Sequence, residues 1–483
     1  MAQEHRLDPL DPLRPSFRAN DDVMSYILEL CTSFWDGPSI RLIPDFQPLP
    51  SSRSFLSMNL VCRWFRAVAI LTPRCWKEII IYITDEFMTS PNLLKTLLQR
   101  SGALFFNLSI YVDTKKFNRT QVGRHLVIMS SHVDRCSRIE FHTGEQEILA
   151  DEITEAIQGF ALPCTALRSV RLAARTNGGL RRTQGEMGDP WPRVNLTAFW
   201  GQSSGQIECV EIDFVSSRVI LRPQGTVGNL QLPVKLRQLR IYEGLEKDVA
   251  IKIARQCPSL ELFELYIQEE RLSEEELNKP LHFSFLKTFQ LRAEALLGGF
   301  PKLEAAACEN LCLGRLETTH ADDWLFGSDG TDRMKFPVLK RLSFVNVNEC
   351  PAGLVDFLSH HPTLEEILIR GPMFGDDEGS NEDEPPMGCA IFDRLATVST
   401  MLDIRDPFLP SLQTLWYEMD PDFWREGRRA EIAKSLRQLL TSPFKTPIRV
   451  LIEGKIPREL IELANEFQER FYPLNSLPPE WAR

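Results

Sequence analysis

The chain has 483 residues, 43% of them hydrophobic and 25% charged, with a formal net charge of −11. That length accommodates roughly three average domains or one long repeat array, and the composition is that of an ordinary globular protein. The acidic balance argues against general nucleic-acid binding, which relies on a basic surface. No run of about eighteen apolar residues is present to form a membrane span.

The first residues carry Glu4, Arg6, Asp8 and Asp11 among prolines and lack the apolar block of a secretory signal, so 1–19 reads as a tail. The eleven cysteines, scattered from Cys31 to Cys389, are odd in number and read as reduced, buried small hydrophobes. Asn107-Leu-Ser, Asn118-Arg-Thr and Asn195-Leu-Thr fit the glycosylation pattern, which is common by chance. The expected compartment is the cytoplasm, the nucleus or both.

The first element predicted is a helix beginning at Asn20, whose side chain suits an N-cap, with Asp21 and Asp22 in the first turn where negative charge complements the dipole. Val23, Ile27, Leu30 and Phe34 fall on one stripe of it. Residues 35–54 hold prolines and glycines without a period and read as a loop. A second helix follows, with Leu60, Trp64, Val68 and Leu71 at helical spacing. Thr72-Pro73 stops it, because the proline ring disfavours helical geometry at the residue before it, and Trp76 comes at once.

The order Leu60-Val61-Cys62-Arg63-Trp64, then Ala67, then Thr72-Pro73-x-x-Trp76 closely resembles the second half of an F-box. The first half is a fair match at residues 20–31, although Arg18-Ala19-Asn20 stands where F-boxes usually open with Leu-Pro. The resemblance covers residues 20–85, with 35–54 as an inserted loop. It implies a three-helix module that packs on a Skp-family adaptor, which in turn holds a cullin scaffold. Carried over position by position, the adaptor face is Val23, Ile27, Leu28, Leu30, Leu60, Val61, Cys62, Trp64 and Val68, with Trp64 as anchor. Some of these positions are expected to pack the module's own helices instead.

Beyond residue 100 the pattern apolar-x-x-apolar-x-apolar recurs. It occurs at Phe105/Leu108/Ile110, Cys136/Ile139/Phe141, Leu167/Val170/Leu172 and Ile207/Val210/Ile212. It continues at Leu236/Leu239/Ile241, Leu260/Phe263/Leu265, Leu286/Phe289/Leu291, Leu339/Leu342/Phe344, Leu364/Ile367/Ile369 and Leu412/Leu415/Tyr417. Two steps are about twice the usual length, as if each hid a degenerate unit; Leu303-Ala306-Cys308 is a weak candidate for the first. Pro258, Pro301, Pro337, Pro362 and Pro410 each lie two residues before a Leu, where a helix would end and a strand begin. Helical spacing is predicted just upstream, over 247–256 and 354–359.

A strand and a helix every two to three dozen residues resembles leucine-rich repeats, whose units stack because none buries its apolar face alone. The Asn that usually follows the strand motif is absent; Val347 and Glu294 stand at that place in two units. The alternative is a set of unrelated β-α units of similar length. Loops are expected at 176–192 and 375–388, the second strongly acidic. Helices are predicted over 423–440 and 457–471 with a strand at 448–452 between them, and 456–483 reads as a helical cap and tail. The expected fold class is thus α/β: an N-terminal three-helix F-box, then an irregular leucine-rich-repeat-like β-α solenoid over 86–455.

No motif for catalysis stands out. The His360-His361 pair points two ways on a helix end, Cys308 and Cys312 lack a second pair to complete a zinc site, and Cys136 falls on an inward repeat position. No phosphate loop or nucleophile elbow occurs in the chain. No cofactor and no metal are expected.

The resemblance implies a non-catalytic substrate receptor of an SCF-type ubiquitin ligase, with an unknown protein substrate held by the repeats. In a strand, side chains alternate, so with motif positions 1, 4 and 6 inward, positions 3, 5 and 7 face out. That nominates Arg240, Tyr242, Tyr266, Arg292, Arg341, Arg370 and Trp416, residue types enriched in recognition patches. Two other classes stay open: a repeat scaffold with a degenerate F-box and no ligase role, and a hydrolase or transferase within the repeats.

Overall fold

The computed structural model describes residues 26, 63–84, 89–113, 124–125, 127–129, 131–143, 166–174, 193–195, 206–214, 218–220, 235–245, 247–267, 279–293, 303–314, 336–345, 354–370, 392–393, 395–397, 409–418, 426–441, 448–453 and 458–473. These form two compact units, Met1–Ile207 and Glu208–Arg483. Both are mixed α/β, and each contains an open sheet of parallel strands.

The first unit begins with α1 (Arg63–Leu71), which ends one residue short of Pro73. Thr72 leaves helical geometry at φ −105° and ψ 88°, as a residue before proline prefers. Its hydroxyl donates back to the Val68 carbonyl at 2.8 Å, satisfying one carbonyl of the helix end. The Pro73–Trp76 turn then folds Trp76 under the helix. Val68, Ala69, Cys75 and Trp76 form a small core, with Ile70 and Leu97 packed against it.

Strand β1 (Glu78–Thr84) follows directly, then α2 (Pro91–Arg100), capped by the Ser90 hydroxyl, which accepts from the Leu93 amide. Next come β2 (Phe106–Asp113), β3 (Cys136–Thr143), β4 (Ser169–Ala174) and the short β5 (Arg193–Asn195). Strands β1 to β4 pair in chain order, all parallel. Glu78–Thr84, inside the 20–85 span of the resemblance, is a strand of the sheet, in register with β2. Ile79, Ile81 and Ile83 bury one face of it, each at 1% exposure or less.

The second unit holds β6 (Cys209–Phe214), β7 (Arg218–Ile220), β8 (Gln238–Leu245), α3 (Lys247–Gln256), β9 (Leu262–Ile267), β10 (Leu281–His282), β11 (Thr288–Ala293), β12 (Leu303–Glu304) and β13 (Asn310–Gly314). It continues with β14 (Arg341–Val345), α4 (Leu354–Ser359), β15 (Glu366–Arg370), β16 (Thr414–Glu418), α5 (Glu426–Thr441), β17 (Arg449–Glu453), α6 (Arg458–Glu466) and β18 (Phe471–Pro473). The long strands pair in the order β6, β8, β9, β11, β13, β14, β15, β16, β17, β18, every pair parallel. The two-residue strands β10 and β12 pair separately.

The repeat pattern is the buried face of these strands. Leu236, Leu239, Ile241, Leu260, Phe263, Leu265, Leu286, Phe289 and Leu291 are all at most 3% exposed. Side chains at matching positions stack from strand to strand; the Phe263 and Phe289 rings, for example, lie 5.9 Å apart. Each such burial stabilises by about 1.5–3 kcal/mol, and removing one ring, as in Phe289→Ala, costs about 3–5 kcal/mol.

Pro258 and Pro362 lie between the ends of α3 and α4 and the strands that follow, as expected, and the prolines also have a local task. In Cys257-Pro-Ser-Leu260, Phe336-Pro-Val-Leu339, His361-Pro-Thr-Leu364 and Leu409-Pro-Ser-Leu412, the fourth amide donates to the first carbonyl at 3.1–3.2 Å. Proline sits second in each turn, where its fixed φ is already that of the turn. Ala305-Ala-Ala-Cys308 makes the same turn without it, at 3.0 Å.

Four expectations need correction. In the first repeat Phe106, not Phe105, is the buried residue; Phe105 is 62% exposed, and the ladder carries an irregularity at Phe106/Asn107. The unit in the first long gap is Cys308/Leu311/Leu313, with Cys308 in the place of the leucine and Ala306 exposed. Across the second long gap β15 and β16 pair directly, so no further strand of this sheet stands between them. The last predicted helix stops at Glu466, and Phe471, expected on its face, opens β18.

Candidate interaction face

Alternation along the strands leaves three rows of side chains on the face of the second unit opposite the buried one. The first row runs Gln238, Leu262, Thr288, Asn310, Arg341, Glu366, Thr414, Arg449. The second runs Glu211, Arg240, Glu264, Gln290, Cys312, Ser343, Leu368, Trp416, Leu451. The third runs Tyr266, Arg292, Gly314, Val345, Arg370.

All seven residues nominated as outward-facing lie on this face. Arg240 is held between two carboxylates, 3.7 Å from Glu211 and 3.4 Å from Glu264. Burial alone would lower its pKa; Glu264 first, then Tyr242 and Glu211, outweigh that and hold it above the ordinary guanidinium value. Tyr242, just before the irregularity in the β8 ladder, donates to Glu264 at 2.9 Å. Burial, reinforced by Glu264 and Glu211, raises its pKa. Arg341 pairs with Glu366 on the next strand at 2.8 Å. With the Gln290 amide turned so that its oxygen faces Arg292, that oxygen accepts from Nη2 and Nε at 2.8 and 2.7 Å. Trp416 sits between Leu368 and Leu451, and its buried indole nitrogen has no hydrogen-bond partner. Tyr266 and Arg370 occupy the third row, both half-buried.

The face is thus graded. One end is a tight Arg-Glu-Tyr cluster, the centre is floored by small residues, and the far end is an apolar strip with a donor. Sequence reasoning missed the centre, because Cys312 and Gly314 belong to the unrecognised strand β13. The signal was present in Cys308-x-x-Leu311-x-Leu313, with a cysteine serving as the first apolar residue. Burial pushes the Cys308 thiol up to about 12 and the Cys312 thiol up to about 11, so neither is a thiolate at neutral pH.

The corresponding face of the first unit has a different character. Tyr82, Tyr111 and His142 stand at matching positions of β1, β2 and β3. Their rings stack at 5.3 and 4.4 Å. Beside them Glu140 takes hydrogen bonds from Ser109 at 3.1 Å and His142 at 3.2 Å, and pairs with Arg138. Among the described residues no group of three His, Cys, Asp or Glu is arranged to hold a metal ion, and no helix is long and apolar enough to cross a membrane.

Of the adaptor-facing set, Val23, Ile27, Leu28, Leu30, Leu60, Val61 and Cys62 lie outside the described residues. Trp64 is on α1, and Val68 is 5% exposed, buried against the unit's own Trp76 core. A search against protein-family models finds no match, and no curated protein matches the chain.

Proposed function

We propose that this chain is the substrate-recognition subunit of an SCF-type ubiquitin ligase, with an F-box that binds a Skp-family adaptor and a leucine-rich-repeat-like solenoid that binds a protein substrate. The observation that carries the reading is the pairing of two sequence-ordered features. One is a helix stopped at Thr72-Pro73, with Trp76 tucked beneath it. The other is a run of parallel strands taken in chain order, with β9 and β13 to β16 entered through the same turn. The first supports the F-box resemblance, and the second supports stacked repeats.

In this reading the protein contributes proximity and performs no bond-making step. It raises the effective concentration of target lysines near a partner enzyme that carries ubiquitin. Val68 then serves the module from inside, holding α1 to the turn, and the remaining adaptor contacts fall to Val23, Ile27, Leu28, Leu30, Leu60, Val61, Cys62 and Trp64. Client capture falls to the three-row face.

Replacing Arg240, Arg292, Arg341 and Trp416 together by Ala tests the division of labour. The expected result is weakened client capture with adaptor binding intact. Undiminished capture of the client would count against the face.

A further inference from the structure

We infer that Arg292, lying over Gly314 beside Cys312, Ser343 and Val345, is a subsite for a carboxylate side chain of an acidic peptide segment. The inference deepens the proposed client-binding role of this face and rests on it.

The register sets the geometry. Arg292 on β11 and Arg370 on β15 occupy the same row, with Gly314 and Val345 between them. A Cβ on Gly314 would stand 3.0 Å from the Arg292 Cγ and 3.2 Å from the Val345 carbonyl oxygen. The stem of Arg292 therefore lies across Gly314, toward β14, in space that any larger residue would occupy. Arg292 thus lies over a floor of small side chains, with Arg370 in the same row at its far edge.

The counter-charges are unevenly shared. Glu264, in the neighbouring row, already takes Tyr242 and Arg240. Among the described residues Arg292 is held by the neutral Gln290 amide and forms no ion pair with a carboxylate. A half-buried guanidinium fixed in direction by a neutral acceptor is disposed to take an incoming carboxylate in a charge-assisted pair.

The test is fluorescence anisotropy of labelled hexaglutamate and hexaglutamine peptides titrated into the full chain at low salt. Hexaglutamate is expected to bind and hexaglutamine to fail. Arg292→Gln and Gly314→Leu are each expected to weaken hexaglutamate binding about tenfold, as loss of one such pair implies. Arg458→Gln, which removes an equally charged but remote and exposed group, should leave it unchanged. Circular dichroism melting checks that each variant is folded, and Arg292→Gln carries the conclusion if Gly314→Leu fails to fold. No binding by the unaltered chain, equal binding by Arg292→Gln, or equal loss in Arg458→Gln overturns the inference. Loss of client capture in the fourfold alanine variant alongside unchanged hexaglutamate binding by Arg292→Gln would sink this subsite and leave the wider reading standing.

Discussion

The indole N–H of Trp76 donates to the backbone carbonyl of Ala69 at 2.6 Å, tying the last turn of α1 to the turn that follows it. Helix ends leave carbonyls without intrahelical partners, and a buried one is costly. Here a side chain seven residues on supplies a donor, and Arg100 lies over the same ring, 4.5 Å from its centroid. The sequence feature Thr-Pro-x-x-Trp is therefore a helix stop whose tryptophan returns to seal the helix it ended.

Trp76→Phe keeps most of the buried ring and removes the donor. The expected cost is about 1–2 kcal/mol, from the lost hydrogen bond and a weaker cation–π contact. Chemical denaturation of the full chain measures it; a midpoint identical to that of the unaltered protein would show the bond to be incidental.

Glu140 gives a pH signature. Burial would raise its pKa, but the hydrogen bond from His142, then Arg138 and Arg171, bring it down from 4.5 to about 2. A carboxylate depressed on folding contributes stability that is present above its unfolded pKa and is lost as pH falls from about 4.5 to about 2. Glu140→Gln should lower stability at neutral pH by about 2–3 kcal/mol and flatten the acid limb in that window. Parallel acid melts of the two proteins read it, and superimposable acid limbs would refute the assignment.

A ladder of alternating charge runs along the strand entries of the second unit: Glu208, Arg237, Glu261, Lys287, Glu309, Lys340, Glu365. Each carbonyl of this row accepts the first amides of the next unit, as Arg237 does from Glu261 and Leu262 at 2.7 and 3.0 Å. The side chains pair across strands: Glu261 lies 3.5 Å from Arg237 and 3.1 Å from Lys287, and Lys340 lies 3.3 Å from Glu309. A strand slipped by one unit would set like charges opposite each other, so the row favours the observed neighbours. Exposed pairs are worth only about 0.2–1 kcal/mol each and are screened by salt. Glu261→Lys should therefore cost about 1 kcal/mol at roughly 0.01 M salt and much less at roughly 1 M. Urea midpoints at the two salt concentrations decide it; a cost independent of salt would mean packing rather than charge.

Much of the sheet was legible because parallel strands buried on one face keep a strict spacing. Leu239/Ile241, Phe263/Leu265 and Leu342/Phe344 are buried as that spacing requires. The misses have physical causes. β1 is an isoleucine run directly after α1 and its turn, and the F-box resemblance absorbed it. The repeat that contains β13 starts at Cys308, two residues before the strand, with a cysteine that behaves as a small hydrophobe. Phe471 continues the helical period of α6, but the helix ends at Glu466 and the strand pairing with β17 claims the residue. The outward positions followed from alternation alone. Their partners did not, because pairing across strands depends on register between units far apart in the chain, as with Arg240 and Glu211.

The central claim is that the N-terminal module docks on ligase machinery. The most direct measurement is affinity purification of the full chain and of a Leu60→Ala, Trp64→Ala variant, probed for a Skp-family adaptor and a cullin. The account predicts both partners with the unaltered chain, neither with the variant, and unchanged melting of the repeats. An adaptor retained by the variant, or absent from the unaltered chain, would contradict it.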